Sequence, residues 1–436
     1  MSESFLHYIW QFQYFEKTNL QTSEGEPLQI FNTGHHNTNA GPDFSTARIK
    51  IGDIEWVGNV EIHIQSSAWY EHQHQHDPAY ENVILHVVWK NDKPIQRRDG
   101  TFVPTLELGH RIEESIIFRY NKLINNPEEI PCAKSIQSVS DITKYTMLDK
   151  ALLQRLESRA TQLTATLEYT NHDWEEACYQ LLCRNFGLKV NADPFMQLAK
   201  ALPYRVLLKH ADKILQLEAF LFGQAGFLDE SRDDNYYQLL QREYQLLSAK
   251  YQLTEQKLHV AQWKFLRLRP ANFPTIRLAQ LAMILHVQKN IFSKILEAES
   301  IRDLRRLFSA QQSTYWLEHF HFAKKAKGGV ASLGEISIDN IIINTVVPLL
   351  AAYGKAKDET LYLDRAVEFL QQISPEDNAV TRKWYALGLE IKSGFDSQGI
   401  LELHTQFCLK RRCIDCNIGA TLIRPKPNEH HIALRQ

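Results

Sequence analysis

The chain has 436 residues, of which 44% are hydrophobic and 23% charged, a composition typical of a folded protein with two or three domains. Its formal net charge of −2 and its isoelectric point of about 6.8 exclude a protein that binds nucleic acid or anionic membranes through overall charge. Neither a long apolar run nor a secretory leader is visible, so we expect a cytoplasmic protein without a membrane span.

The first part of the chain predicts a mixed layer of strands and helices. Apolar residues at helical spacing predict a helix over residues 3–16. Strand patterns follow at residues 28–33, 44–51, 54–64, 82–89 and 102–108. Gly52-Asp53 marks a turn between the second and third strands, and a short helix is expected before the fourth. This order of elements predicts an α+β domain over residues 1–135.

Two carboxylates, Asp43 and Glu61, lie on the second and third of these strands, and His63 follows two residues after Glu61. One or two divalent cations held by such carboxylates would offset charge and activate water for phosphodiester hydrolysis. We therefore expect Mg²⁺ or Mn²⁺ at Asp43 and Glu61. His63 would act as an acid, a base or a ligand, and the Ile62 carbonyl would add a further ligand.

Strand geometry sets a condition on this site. Side chains alternate between the two faces of a sheet, and paired residues share a face. With a two-residue turn at Gly52-Asp53, Asp43 pairs with Ile62 and faces away from Glu61. The site therefore needs one extra residue, in a bulge at Gly58-Asn59 or in a three-residue turn. Without it, Asp43 would only cap a turn and Glu61 would be an exposed strand residue.

A dense histidine segment comes next, in which His72, His74 and His76 alternate with glutamate and glutamine. On a strand these three side chains would share a face and could bind Zn²⁺ or Mn²⁺, whereas on a helix they would fan out. Trp69 and Tyr70 favour a helix followed by a loop. We predict a polar rim beside the carboxylates, where these histidines contact phosphate. The alternative is a solvated polar loop.

Residues 136–400 have apolar residues three and four apart with short loops, a pattern that predicts an all-α domain of about ten helices. Arg267, Arg269 and Arg277 surround two prolines within it. We expect this basic stretch to contact nucleic acid.

The tail, residues 401–436, has Cys408, Cys413 and Cys416 in the pattern C-x₄-C-x₂-C. The C-x₂-C half is a common metal-binding spacing, because two thiolates can reach one ion across a tight turn. His404 or the distant Cys132 could supply a fourth ligand. We expect Zn²⁺ or a [4Fe–4S] cluster, with a slight preference for zinc. Three reduced thiols near a helix end are the alternative.

Three basic residues, Lys410, Arg411 and Arg412, lie inside this cysteine knuckle. A basic loop that a metal holds in place is a plausible phosphate-contacting surface, and we predict that these residues bind nucleic acid. Three adjacent charges are also often simply solvated.

The first ninety residues resemble the PD-(D/E)xK nuclease superfamily in Pro42-Asp43, in Glu61-Ile62-His63 and in the order of elements. The resemblance implies a metal-dependent nuclease with Asp43, Glu61 and His63 as catalytic residues. Glu16 matches an acidic residue that some members have in the first helix. His63 stands where the superfamily usually has lysine, and a neutral imidazole is a weaker electrostatic partner than an ammonium group.

Nearly the whole chain is similar to a bacterial family called Domain of Unknown Function 2851, which implies no established activity. The matching segments are residues 39–44, 56–63, 76–80, 83–86, 269–274 and 408–419. Three hypotheses follow: a metal-dependent nuclease acting on DNA or RNA, a non-catalytic nucleic-acid-binding module on a decayed nuclease fold, and a scaffold protein.

Overall fold

The computed structural model describes residues 1–425. The chain divides into two compact units, one formed by Met1–Leu148 with the described residues from Leu403 onward and the other by Asp149–Glu402. The strands and helices together confirm the predicted α+β class. Residues 426–436, the last part of the predicted tail domain, lie outside the described residues.

A six-stranded mixed sheet is the frame of the first unit. Its strands are β1 (Leu28–Asn32), β2 (His35–His36), β3 (Phe44–Ile51), β4 (Ile54–Gln65), β5 (Val83–Lys90) and β6 (Thr105–Glu107). The main order is β1-β3-β4-β5-β6, and β2 also pairs with β3. Strands β1, β3 and β4 run antiparallel, whereas β4, β5 and β6 run parallel.

The connections of β4 explain this mixture of directions. Gly52-Asp53 joins β3 to β4 in a tight turn that pairs Ile51 with Ile54, and Gly52 has a φ of 58°, which glycine adopts without strain. The crossover from β4 to β5 contains helix α2 (Ala68–Glu71) and two 3₁₀ turns, at His74–His76 and Pro78–Tyr80. This crossover returns the chain parallel to β4.

Helix α1 (Glu3–Gln11) begins at Ser2, whose hydroxyl accepts a hydrogen bond from the Phe5 amide, and its aromatic residues are buried. The prediction that this helix extends to residue 16 was wrong in its last five residues. The chain leaves the helical conformation because Gln13 has a φ of 52°. Glu16 therefore lies outside α1, in an exposed segment.

Helices α3 (Glu114–Ile124) and α19 (Asn417–Ile423) complete the first unit. Arg119 of α3 donates a hydrogen bond to the Ile423 carbonyl at 3.2 Å, and the Tyr8 hydroxyl of α1 donates to the Ala420 carbonyl at 2.9 Å. The C-terminal segment is thus part of the same packed unit as the N-terminal sheet.

The second unit and its entry helix contain fifteen α-helices between Asp141 and Glu402, more than the predicted ten, because short turns divide the apolar pattern further. They are α4 (Asp141–Tyr169), α5 (Trp174–Phe186), α6 (Ala192–Ala201), α7 (Tyr204–Leu208), α8 (Ile214–Gln224), α9 (Asn235–Tyr251), α10 (Pro274–Val287), α11 (Ile291–Glu297), α12 (Ile301–Phe308), α13 (Thr314–Glu318), α14 (Glu335–Ile341), α15 (Val347–Lys357), α16 (Thr360–Gln372), α17 (Ala379–Ala386) and α18 (Gly394–Glu402). A small hairpin, β7 (His319–His321) and β8 (Lys324–Lys325), interrupts the series.

One continuous helical stretch in this unit, Glu335–Lys357, is long and apolar enough to cross a membrane by length and composition. It comprises α14, a π-helical turn at Ile342–Val346 and α15. In the structure 72% of its apolar window is buried, which is the behaviour of a core helix.

Candidate metal centre

A β-bulge in β3 brings the two carboxylates together. Near the turn Ala47 pairs with Gly58, but farther along Phe44 pairs with Val60, so β3 contains one more residue than β4 between these pairs. Thr46, within this stretch, has a φ of 56°. Continuing the shifted register places Asp43 opposite Glu61, so both side chains share a face.

The extra residue was expected in a bulge at Gly58-Asn59 or in a three-residue turn, and the structure places it in β3 instead. Gly58 meets a different requirement. A Cβ atom at this position would lie 2.5 Å from Cγ2 of Ile84 and 2.8 Å from the Asn82 carbonyl oxygen. Glycine at this position therefore allows Asn82 and Ile84 to approach β4 closely. The left-handed conformation of the bulge is taken by Thr46.

The two carboxylates are held by reciprocal hydrogen bonds to backbone amides. The Ile62 amide donates to Oδ2 of Asp43 at 2.9 Å, and the Asp43 amide donates to Oε2 of Glu61 at 3.2 Å. The Asp43 side chain is 23% exposed and the Glu61 side chain 6% exposed. The site is therefore rigidly placed on the sheet and opens to solvent on the side of Asp43.

Two histidines, His63 and His74, lie against Glu61 on this face, and His72 lies against His63. Nε2 of His63 is 3.1 Å from Nδ1 of His72, and one nitrogen from each of His63, His72 and His74 lies within 4.8 Å of the others. Oε1 of Glu61 is 3.4 Å from Nε2 of His74 and 3.6 Å from Nε2 of His63. Three imidazoles and a carboxylate at such separations form a donor set that fits a transition-metal ion.

The crossover from β4 to β5 explains how His72 and His74 reach one point. His72 ends α2, Gln73 takes a left-handed φ of 60°, and His74 begins the following 3₁₀ turn. The His74 ring stacks on Tyr80 with centroids 3.8 Å apart. The expected helix followed by a loop is present, and the reversal at Gln73 brings two of its histidines to His63. His72 and His76 are both exposed to solvent, and His76 is not among the three histidines that converge.

Two histidines that the sequence analysis did not select complete the cluster. Nε2 of His86 lies 2.8 Å from Nδ1 of His63, and Nε2 of His7 lies 3.3 Å from Oδ2 of Asp43. His86 pairs with Glu61 across the parallel strands, which places it on the same face. The sequence did indicate His86, because it is the one polar residue in the apolar run of residues 83–88. Nothing in the sequence indicated His7 except its place on the first helix.

Burial controls the protonation of these groups. Burial raises the pKa of Glu61, and the charge of Asp43 raises it further, although the facing His74 opposes the shift. Burial, with the neighbouring His74 and His72, lowers the pKa of His63 to about 3, and burial holds the pKa of His86 well below its usual value. Neutral imidazole is the form that binds metal ions.

Two buried nitrogens fit a ligand-binding role. Nε2 of His7 and Nε2 of His74 have no hydrogen-bond partner within residues 1–425, although each faces a carboxylate oxygen. Unsatisfied buried polar atoms are rare in proteins and call for an explanation such as a bound ion.

Glu16, which was also predicted to be catalytic, contacts residues outside this cluster. Its carboxylate accepts a hydrogen bond from the Thr18 amide at 2.7 Å, and its own amide donates to the Arg111 carbonyl. Glu16, which was predicted to lie in the first helix, is thus in the segment after α1. The α1 residue that faces Asp43 is His7.

The predicted nucleic-acid-binding arginines of the second unit differ in exposure. Arg267 and Arg269 are exposed. Arg277 is only 5% exposed, and its guanidinium donates to Oδ1 of Asn272 at 2.6 Å. Burial lowers its pKa to about 10. Its position in the interior of the helical unit does not favour a nucleic-acid contact.

The basic residues of the cysteine knuckle are partly used in local contacts. Lys410 is exposed. Arg411 donates a hydrogen bond to the Glu128 carbonyl at 2.7 Å, and Arg412 pairs with Asp415 at 2.8 Å and lies over the Phe407 ring. Of these three, Lys410 is the residue best exposed for a phosphate contact.

The residues around the cysteines also converge. Cys132, Cys408, Cys413 and Cys416 are all buried, and all four line one narrow cavity. His404, the other candidate for a fourth ligand, lies 3.6 Å from Glu129.

A family model described as "Protein of unknown function (DUF2851)" matches residues 3–379. The chain belongs to this family. The matched range includes the whole carboxylate and histidine cluster and ends before the tail cysteines. No curated protein and no solved structure matches the chain.

Proposed function

We propose that this protein is a metal-dependent hydrolase that cleaves phosphodiester bonds in DNA or RNA. The observation that carries the proposal is the convergence of His63, His72 and His74 on one face of the sheet, where His63 and His74 also contact Glu61 and Asp43 lies beside them. Two carboxylates and several imidazoles at one point can hold a divalent cation and still leave a side open to substrate.

The donor set favours Mn²⁺ over Mg²⁺ among the two ions expected from the sequence. Magnesium prefers oxygen ligands and retains water, whereas imidazole suits softer divalent ions. Glu61, His63, His72 and His74 would hold the ion, with Asp43 next to it. When bound, such an ion neutralises phosphate charge and lowers the pKa of a coordinated water.

The surrounding residues orient these ligands. His86 is bonded to Nδ1 of His63, which leaves Nε2 of His63 directed towards His72 and Glu61. Tyr80 supports the His74 ring from one face. Such supporting contacts fix the tautomer and direction of a metal-binding imidazole.

The topology supports a nuclease over other hydrolases. Three antiparallel strands are followed by a helical crossover to a parallel strand, with Asp43 immediately before β3 and Glu61 on the adjacent β4. This layout agrees with the one that the PD-(D/E)xK resemblance implies. The departure is His63 in place of lysine, together with a site richer in histidine.

The test is cleavage of labelled single- and double-stranded DNA and RNA by purified protein with Mn²⁺, Mg²⁺ or Zn²⁺. We expect cleavage with Mn²⁺ and a loss of at least about 100-fold in the Glu61→Gln variant, because a metal ligand is removed. Glu55→Gln is the matched control, since Glu55 lies on the same strand in an exposed ion pair with Arg48.

Calorimetric titration with Mn²⁺ separates binding from catalysis. Cleavage that persists at the same rate in Glu61→Gln would show that another enzyme in the preparation is responsible. Metal and nucleic-acid binding without cleavage under any of these ions would instead favour the non-catalytic nucleic-acid-binding module.

A further inference from the structure

We propose that Cys132, Cys408, Cys413 and Cys416 ligate a [4Fe–4S] cluster that joins the Ile130–Cys132 segment to the C-terminal segment of the first unit. This site is separate from the histidine cluster and does not depend on the proposed hydrolase activity.

The first step of the argument is convergence. The four side chains are between 5% and 7% exposed and line one cavity together with Leu123, Phe407 and Gly419. Burial and the other three thiols raise the pKa of the Cys408 thiol, so the four thiols lie close enough to interact electrostatically. Cys178 and Cys183 contrast with them, since both are completely buried on α5 in the apolar core of the second unit.

The backbone around the cavity has the form of a ligand-binding knuckle. Cys408 ends a helical segment, Arg411 has a left-handed φ of 56°, and Cys416 immediately precedes α19. A Cβ atom at Gly419 would lie 2.1 Å from the Cys413 carbonyl oxygen, so only glycine fits there. Loops that curl this tightly around converging cysteines are typical of metal sites.

The spacing of the sulphurs decides which group fits. A tetrahedral zinc ion with Zn–S bonds of about 2.3 Å brings its sulphurs to about 3.8 Å from one another. Among the described residues, ligand atoms of His63, His72 and His74 lie within 4.8 Å of one another. No three of the four cysteine sulphurs lie as close together as this. A [4Fe–4S] cluster binds each cysteine at a different iron atom, and its sulphurs therefore stand farther apart.

Charge and polarity also suit the cluster. Four thiolates and the cluster core carry net negative charge, and Arg411 lies beside the site, with Nη1 3.5 Å from the Cys408 carbonyl oxygen. Leu123, Pro131 and Phe407 form an apolar shell around it. An apolar surround with a nearby cation limits solvent access and stabilises a buried anionic centre. This preference replaces the slight preference for zinc that the sequence favoured.

The test is iron and sulfide analysis of the full chain purified without oxygen, together with its visible absorption spectrum. We expect a brown protein with about four iron atoms and four sulfides per chain. Cys413→Ala should lose both, whereas the matched control Cys178→Ala should keep them. His74→Ala should keep the sulfide-bound iron as well, which separates this site from the histidine cluster.

About one zinc per chain without iron would overturn the proposal. So would a folded wild-type protein that takes up neither iron nor sulfide when incubated with both under anaerobic conditions. If Cys413→Ala fails to fold, the metal content and spectrum of the wild-type chain decide the question alone.

Discussion

Glu218 illustrates how burial alone sets the ionisation of a single side chain. It lies on α8 and is completely buried, with Oε2 accepting hydrogen bonds from the Tyr236 hydroxyl and, at 3.2 Å, from the Trp316 indole. Burial raises its pKa to about 7, although these hydrogen bonds oppose the shift. The folded protein therefore retains a proton that the unfolded chain releases near pH 4.5.

The stability of the second unit should depend on pH through this group. Between about pH 4.5 and pH 7 the unfolded chain ionises Glu218 first, so the free energy of unfolding falls as pH rises and levels off above pH 7. Glu218→Gln removes this loss and should be more stable by up to about 3 kcal/mol at pH 8, with little difference at pH 4. Urea unfolding across this range measures the effect. The exposed Glu255→Gln is the control, and an unchanged pH dependence in Glu218→Gln would contradict the assignment.

At the scale of an element, the bulge in β3 determines whether the centre exists. Without the extra residue at Ser45–Thr46, the alternation of side chains would direct Asp43 and Glu61 to opposite faces. Thr46 adopts a left-handed conformation that disfavours β-branched residues, and its hydroxyl donates to the Ser45 carbonyl at 2.7 Å. Asp43 and Glu61 therefore share a face only because Thr46 is held in this strained conformation.

A pair of glycine substitutions tests this bulge. Thr46→Gly should be at least as stable as wild type, because glycine relieves a left-handed conformation that costs other residues about 1 kcal/mol. Ser45→Gly should lose about 0.5–1 kcal/mol, because glycine weakens an ordinary strand position. Urea unfolding of both variants gives the comparison. Equal losses of unfolding free energy in Thr46→Gly and Ser45→Gly would mean that Thr46 is not the left-handed residue of the bulge.

At the scale of the whole molecule, the first unit is built from both ends of the chain. The Tyr8 hydroxyl reaches the Ala420 carbonyl, and the Asn417 amide lies 3.2 Å from the Met147 sulphur. Residues between 149 and 402 form the other unit. Helix α1 thus contacts a segment 412 positions away in the sequence.

A chain ending at Glu402 should show this dependence. Loss of α19 removes the partners of Tyr8 and of Arg119, so we expect faster amide hydrogen exchange in α1 and α3. Helices α8 and α10, which belong to the second unit, provide the internal control. Unchanged protection of α1 and α3 would mean that the C-terminal segment does not stabilise the first unit.

The sequence by itself determined the local features of this protein. Period-two and helical patterns gave β3 at its observed bounds, the Gly52-Asp53 turn and the α+β class, because these depend on neighbouring residues. The spacing of polar residues selected Asp43, Glu61 and His63 as candidates for one site, with His72, His74 and His76 as a rim beside it.

Only the tertiary structure decided which of these residues meet. The position of the bulge, the pairing of His86 with Glu61 and the approach of His7 to Asp43 arise from strand register and helix packing between distant segments. The burial of Arg277 likewise depends on its neighbours in the helical unit. Local patterns do not encode register or burial, because both are set by the free energy of long-range packing.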